Sequence, residues 1–114
     1  MDPHPARSIL ISGAASGIGL ATARRFSREG WFVGAIDVNA DALAALGNEL
    51  ESARSFVSAV DVTDRPALLA AVDAFAARTG GHLDLLFANA GIDAKGRFDE
   101  TPWERVMAVV GVNL

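Results

Sequence analysis

The chain has 114 residues, 51 % hydrophobic and 21 % charged, with a formal net charge of −4, a composition that fits one small globular domain and not a disordered segment. Its basic residues are scattered and form no stripe for nucleic acid, and no apolar run nears the ~20 residues needed to span a bilayer. Cysteine is absent, which excludes disulfides, thiolate catalysis and Cys-ligated metal.

Residues 1–7 are polar and broken by Pro3 and Pro5, so they read as a flexible tail and not as a signal peptide; a cytoplasmic location is expected. Ser8-Ile9-Leu10-Ile11-Ser12 is a short apolar run ending in a Gly-rich turn, the pattern of a strand buried on both faces. After the turn, Ile18, Ala21, Thr22 and Phe26 recur near helical spacing, while Arg24, Arg25, Arg28 and Glu29 supply a polar face. Gly30 ends that helix. Residues 31–37 read as a second buried strand, and residues from Asn39 or Ala40 to about Ser52 as a second helix.

A third strand is expected at 55–60. Thr63 or Asp64 caps a third helix with Pro66 in its first turn, ended by Gly80 and Gly81. Residues 83–88 form a fourth strand, and a last helix starts near Thr101 and Pro102. Strands alternating with helices and joined by short connections signal parallel βαβ units, with right-handed crossovers covering both sheet faces. The expected fold is α/β: one Rossmann-type domain over residues 1–114, with strand order 3-2-1-4 and an incomplete second half.

Ser12-Gly13-Ala14-Ala15-Ser16-Gly17-Ile18-Gly19 lies between the first strand and the first helix. A diphosphate needs backbone N–H groups aimed at it, a positive helix terminus and no side chain in the way. Gly13 allows a tight turn, Gly17 a close backbone approach and Gly19 close packing of helix on strand; Ser16 and Ile18 complete the cradle. In isolation such a triplet reads better as a flexible turn whose glycines serve only positive φ. The strand before it and the helix after it favour the phosphate role, and without Gly-Lys-Ser/Thr it is no P-loop.

Asp37 ends the second strand, 24 positions after Gly13, near the ~20-residue offset at which an acidic residue meets the adenosine ribose. A carboxylate there accepts from ribose hydroxyls and repels a 2′-phosphate. Val38, Ala14, Ala15 and Ser16 bring no positive charge to balance one, so NAD(H) is expected over NADP(H). Capping of the next helix is the plainer role for Asp37.

The turn resembles that of the short-chain dehydrogenase/reductase family, usually Thr-Gly-x-x-x-Gly-Ile-Gly, with Ser12 in place of Thr. The likeness extends along nearly the whole chain. It implies that Asp61 and Val62, after the third strand, contact adenine, and that Asn89-Ala90-Gly91 is the family's Asn-Ala-Gly signature beside the cofactor. It further implies hydride transfer between nicotinamide and an alcohol or ketone substrate, with Asn113 matching an Asn of the proton path. The family's Tyr-x-x-x-Lys cannot occur here, because the chain has no tyrosine; no serine follows Ser58, and Lys95 is the sole lysine. Trp103 stands earlier than the family's frequent Trp, and Val106 fills the slot seven residues before Asn113.

The chain is therefore expected to hold NAD and to be inactive alone. A non-catalytic dinucleotide-binding module and a structural fragment that binds nothing are the competing readings. Trp31 reads as packing, and His4 and His82, without paired ligands, point to no metal. The outer edge of residues 83–88 is expected to pair with a second copy or with the remaining half of a longer protein.

Overall fold

Apolar strands alternating with half-apolar helices leave one economical arrangement: a sheet with both faces covered. The structure, a computed structural model, describes residues 7–89. It contains β1 (Ser8–Ser12), α1 (Gly17–Arg28), β2 (Phe32–Asp37), α2 (Ala40–Glu49), β3 (Ser55–Ala59), α3 (Arg65–Thr79) and β4 (Leu85–Ala88), with a 3₁₀ turn at Ser52–Arg54. All strand pairs are parallel, as the alternation predicts, and the order is β3-β2-β1-β4, that of the first half of a dinucleotide-binding fold. The predicted last helix lies outside the described residues.

Alternation along β1 divides its side chains between two cores. Ile9 and Ile11 join Val33 and Ala35 beneath Leu43 and Leu46 of α2 and Ala23 of α1. Leu10 turns the other way and meets Phe32, Ile36, Leu68, Val72 and Phe75, the last three from α3. Phe75 is fully buried. Its ring fits because β2 has a glycine beneath it: a Cβ on Gly34 would stand 2.6 Å from that ring and 2.9 Å from Leu10.

Four boundaries differ from expectation, each for a local reason. The second helix ends at Glu49, not Ser52, because Leu50 adopts extended backbone and its side chain tucks into the core. β2 starts at Phe32; Trp31 packs edge-on against Phe26 at 4.7 Å with the Arg7 guanidinium 5.9 Å from its ring centroid. β3 ends at Ala59, although the Val60 amide still donates to the Asp37 carbonyl at 2.8 Å. β4 starts at Leu85, since the Asp84 carboxylate accepts from the Ser8 amide at 2.7 Å and occupies the start of β1.

The inward face of α1 is also rotated from the predicted one. Gly19 and Ala23 are buried, with Leu20 and Phe26 packed beside them. Ile18 is 70 % exposed, and Thr22 donates its hydroxyl to the Ile18 carbonyl. Small residues face the sheet because the helix starts hard against the turn after β1: a Cβ on Gly19 would collide with the Gly13 carbonyl. Among the described residues no helix is long and apolar enough to cross a membrane. β4 is the outer strand on its side of the four, and Leu85 is 42 % exposed.

Candidate functional site

Parallel strands end at the same edge of the sheet, so residues that follow them converge there. Ser12 is in register with Ile36 and Ala88, and Asp37 with Ala59. The Gly13–Gly19 turn, Asp37, Asp61 with Val62, and Asn89 therefore all stand at or just beyond the carboxyl ends of the four strands, where ligands of open α/β sheets lie.

The turn after β1 combines two left-handed glycines, Gly13 at φ +67° and Gly17 at φ +57°. At Gly13 the reversal lets its carbonyl accept from Asn89 Nδ2 at 3.2 Å, while the Asn89 amide donates to Ser12 Oγ at 3.0 Å. The ends of β1 and β4 are thus tied by two bonds. At Gly17 the surroundings are open: among the described residues a Cβ there would meet nothing within 4 Å.

Helix starts at this edge differ in what covers them. Every α-helix leaves its first amides without an intrahelical acceptor. Asn39 caps α2 by accepting from the Ala42 amide at 3.0 Å, and Asp64 caps α3 by accepting from the Ala67 amide at 3.2 Å. α1 has Ser16 at its N-cap, but the hydroxyl makes no capping bond, and no acidic residue lies in the first turn. The positive end of α1 meets open space above Gly17, an environment that favours an anion.

Asp37 lies one strand over and is half-buried. Its Oδ2 accepts from the Ala15 amide and its Oδ1 from the Asn39 amide, both at 3.0 Å. The helix-capping role open to Asp37 in the sequence belongs to Asn39 instead. A carboxylate offers about four acceptor positions, so two remain for further donors. Val38 beside it is 69 % exposed, and Ile18 across the turn is similarly bare.

Asp61 is exposed and its Oδ1 accepts from the Thr63 amide at 2.9 Å and the Thr63 hydroxyl at 2.7 Å. Val62 has its side chain in the α3-side core, 7 % exposed, so only its backbone can face a ligand. Ala90, Gly91 and Asn113 lie outside the described residues. Two contributors were not singled out from the sequence: Ala15 and Asn39 act through backbone amides, which residue type does not disclose. The Ser12 link had a signal, because a hydroxyl at the end of a buried strand needs a partner. A separate groove of about 460 Å³, lined by Gly47, Asn48, Val57 and Arg78, includes none of these residues.

Away from the turn, an exposed ion pair joins the body of α1 to the end of α2. Arg24 on α1 donates from Nε and NH2 to the two carboxylate oxygens of Glu49 on α2, each at 2.8 Å. That hydrogen bond holds the Glu49 carboxyl below its ordinary range, and Arg24 is raised by the same bond.

The short chain dehydrogenase family matches residues 7–114. The chain is 37 % identical over 112 residues to 2-dehydro-3-deoxy-L-rhamnonate dehydrogenase (NAD(+)) from Sphingomonas sp., covering 97 % of this chain and 44 % of that protein. It is 38 % identical over 107 residues to D-threitol dehydrogenase from Mycolicibacterium smegmatis, covering 88 % and 40 %. The chain thus spans less than half the length of these curated relatives. Among solved structures, carveol dehydrogenase from Mycobacterium avium in complex with NAD is similar with a TM-score of 0.66 and 29 % identity, covering 95 % of this chain and 44 % of that one. An actinorhodin polyketide ketoreductase with NADPH is similar with a TM-score of 0.71 and 30 % identity, covering 94 % and 46 %.

Proposed function

This chain belongs to the short chain dehydrogenase family, and on that premise we propose that it is the NAD(H)-binding part of an oxidoreductase acting on alcohol or carbonyl groups. The observation that carries the proposal is the uncapped start of α1 above an open left-handed Gly17, with a carboxylate on the adjacent strand. In this reading the amides of Ser16, Gly17 and Ile18 hold the diphosphate, while Gly13 and Gly19 shape the turn. Asp37 accepts from the ribose hydroxyls. Asp61 and the backbone of Val62 border the adenine, and Asn89, Ala90 and Gly91 border the remainder of the dinucleotide.

The cofactor, when bound, would accept hydride from an alcohol or donate it to a carbonyl; the protein contributes position and electrostatics. Relatives solved with NAD and with NADPH do not choose between the nucleotides, so the choice rests on Asp37. A 2′-phosphate would bring further negative charge to a carboxylate with no basic side chain at Ala14, Ala15, Ser16 or Val38. With no tyrosine in the chain, binding without turnover is the expected behaviour, whatever Asn113 contributes in the proton path. Titration calorimetry with NADH and NADPH tests the reading. Preference for NADH by at least about tenfold, or about 1.4 kcal/mol, is expected. Equal affinity would remove the role given to Asp37, and no binding of either would remove the dinucleotide reading.

The β4 edge adds an assembly expectation. Exposed Leu85 on an outer strand supports pairing of that edge with another strand. Sedimentation velocity across a dilution series reads it, and a monomer at every concentration argues against pairing between copies.

A further inference from the structure

Before any ligand arrives, both Asp37 oxygens already accept a backbone N–H. One donor, Ala15, belongs to the turn after β1; the other, Asn39, starts α2. The carboxylate is a bracket between two loops at adjacent strand tips. Next to it, the Ala14 amide donates to the Ile36 carbonyl at 3.2 Å, and the Ala14 side chain is fully buried. Two consecutive amides of the turn are thus directed sideways, onto the end of β2. The turn's other side is held by Asn89, through the Gly13 carbonyl.

The turn is therefore suspended between β4 and β2, and on the β2 side its only side-chain support among the described residues is a single carboxylate oxygen. Ala14 and Ala15 carry methyl groups, which cannot replace that bond. The next residues along the chain are Ser16, Gly17 and Ile18, whose amides form the open end of α1. A shift at Ala15 re-aims them directly.

We infer that Asp37 is a positioning residue for the diphosphate turn as well as the acceptor for the ribose. The carboxylate that disfavours a 2′-phosphate also holds Ala15, and so fixes where the following amides point. Nucleotide selectivity and turn geometry are coupled through one side chain. The inference rests on the dinucleotide reading for its ligand, but its mechanism is present in the ligand-free chain. Removing the side chain to admit NADPH would slacken the site that must bind it. Asp37→Ala loses affinity for NADH without gaining NADPH. Asp37→Asn keeps one carbonyl oxygen for the Ala15 amide, removes the charge, and turns its NH₂ toward the exposed Asn39 amide.

Amide hydrogen exchange by NMR on the nucleotide-free full chain, followed by calorimetry, separates these roles. In the unaltered chain the Ala15 amide is expected to exchange more slowly than that of Ser16. In Asp37→Ala it speeds up by about tenfold or more, the scale of a lost hydrogen bond to a charged group. The amides of Ile9, Ile11 and Val33 serve as the internal check that the sheet is intact. Asp37→Asn retains most of the Ala15 protection and binds NADH and NADPH within about threefold of each other, under 1 kcal/mol. Unchanged Ala15 exchange in Asp37→Ala overturns the inference, as does loss of Ala15 protection in Asp37→Asn. So does an Asp37→Ala chain that binds NADPH as tightly as the unaltered chain binds NADH. Should the unaltered chain bind neither nucleotide, the cofactor reading falls while the exchange comparison still decides the positioning role.

Discussion

α1 and α3 start at the same edge of one sheet, yet their first turns are built in opposite ways. Asp64 caps α3 from within the chain, and Pro66 in the first turn adds no amide to satisfy. α1 has a hydroxyl at its N-cap that makes no capping bond, a left-handed glycine as first residue and, among the described residues, open space above it. A cap contributes about 1 kcal/mol, so an exposed helix start gives up stability that its neighbour keeps. That sacrifice is understandable if the first amides of α1 are reserved for an anion. The lesson is that a missing cap beside two present ones marks out a candidate anion site that a glycine count alone does not.

Substitutions at the two helix starts should therefore behave differently, and the largest effect belongs to Gly19→Ala. The added methyl collides with the Gly13 carbonyl, which is backbone and cannot swing aside. A stability loss of about 3 kcal/mol, toward the upper end for overpacking, and loss of NADH binding are expected from denaturant melts and calorimetry. Gly17→Ala sharpens the contrast. Its Cβ touches nothing, so the loss is the left-handed backbone cost of about 1–2 kcal/mol, yet NADH affinity should fall by more than that stability change implies.

Asp64→Ala is the converse case. It should cost about 1 kcal/mol in a denaturant melt and leave NADH affinity unchanged; a parallel fall in affinity would erase the distinction between the two starts. The smallest effect concerns the Arg24–Glu49 pair, which ties the body of α1 to the end of α2. Glu49 has its folded-state pKa lowered by the Arg24 hydrogen bond. Its contribution is thus present above the ordinary carboxylate range and fades as pH falls through the lower folded value. Melts of the unaltered chain and Glu49→Gln should differ slightly at neutral pH, converge in acid, and converge in high salt, because both partners are exposed.

Much of the fold was legible because β1 and β2 are apolar on both faces and the intervening helices carry clear ends. Alternation and handedness gave a parallel sheet covered on both faces, and the order 3-2-1-4 came from the dinucleotide-binding fold that the glycine turn implied. The rotational setting of α1 was not legible: spacing made Ile18 an inward residue, whereas contact with the Gly13 carbonyl turned Gly19 and Ala23 to the sheet and left Ile18 bare. Packing of small residues against a turn overrides hydrophobic periodicity when the helix starts that close. At the site, Gly13, Gly17, Asp37 and Asn89 stood out as residue types. Asn89 reaches Gly13 through its side chain, but the other contacts run through the backbone amides of Ala15, Asn39 and Asn89, and backbone donors have no signature in sequence. Val62 shows the reverse: its motif position was visible, but its side chain belongs to the core.

Titrating NADH into the ¹⁵N-labelled chain and following each backbone amide tests most directly where the ligand sits. The resonances of Ser16, Gly17 and Ile18 should move first and furthest, while those of Ala42 and Ala67, already engaged by their caps, and of Ser8 at the opposite sheet edge stay in place. Shifts centred on the start of α3, or spread evenly over both edges, would contradict the assignment of the open α1 terminus as the diphosphate site.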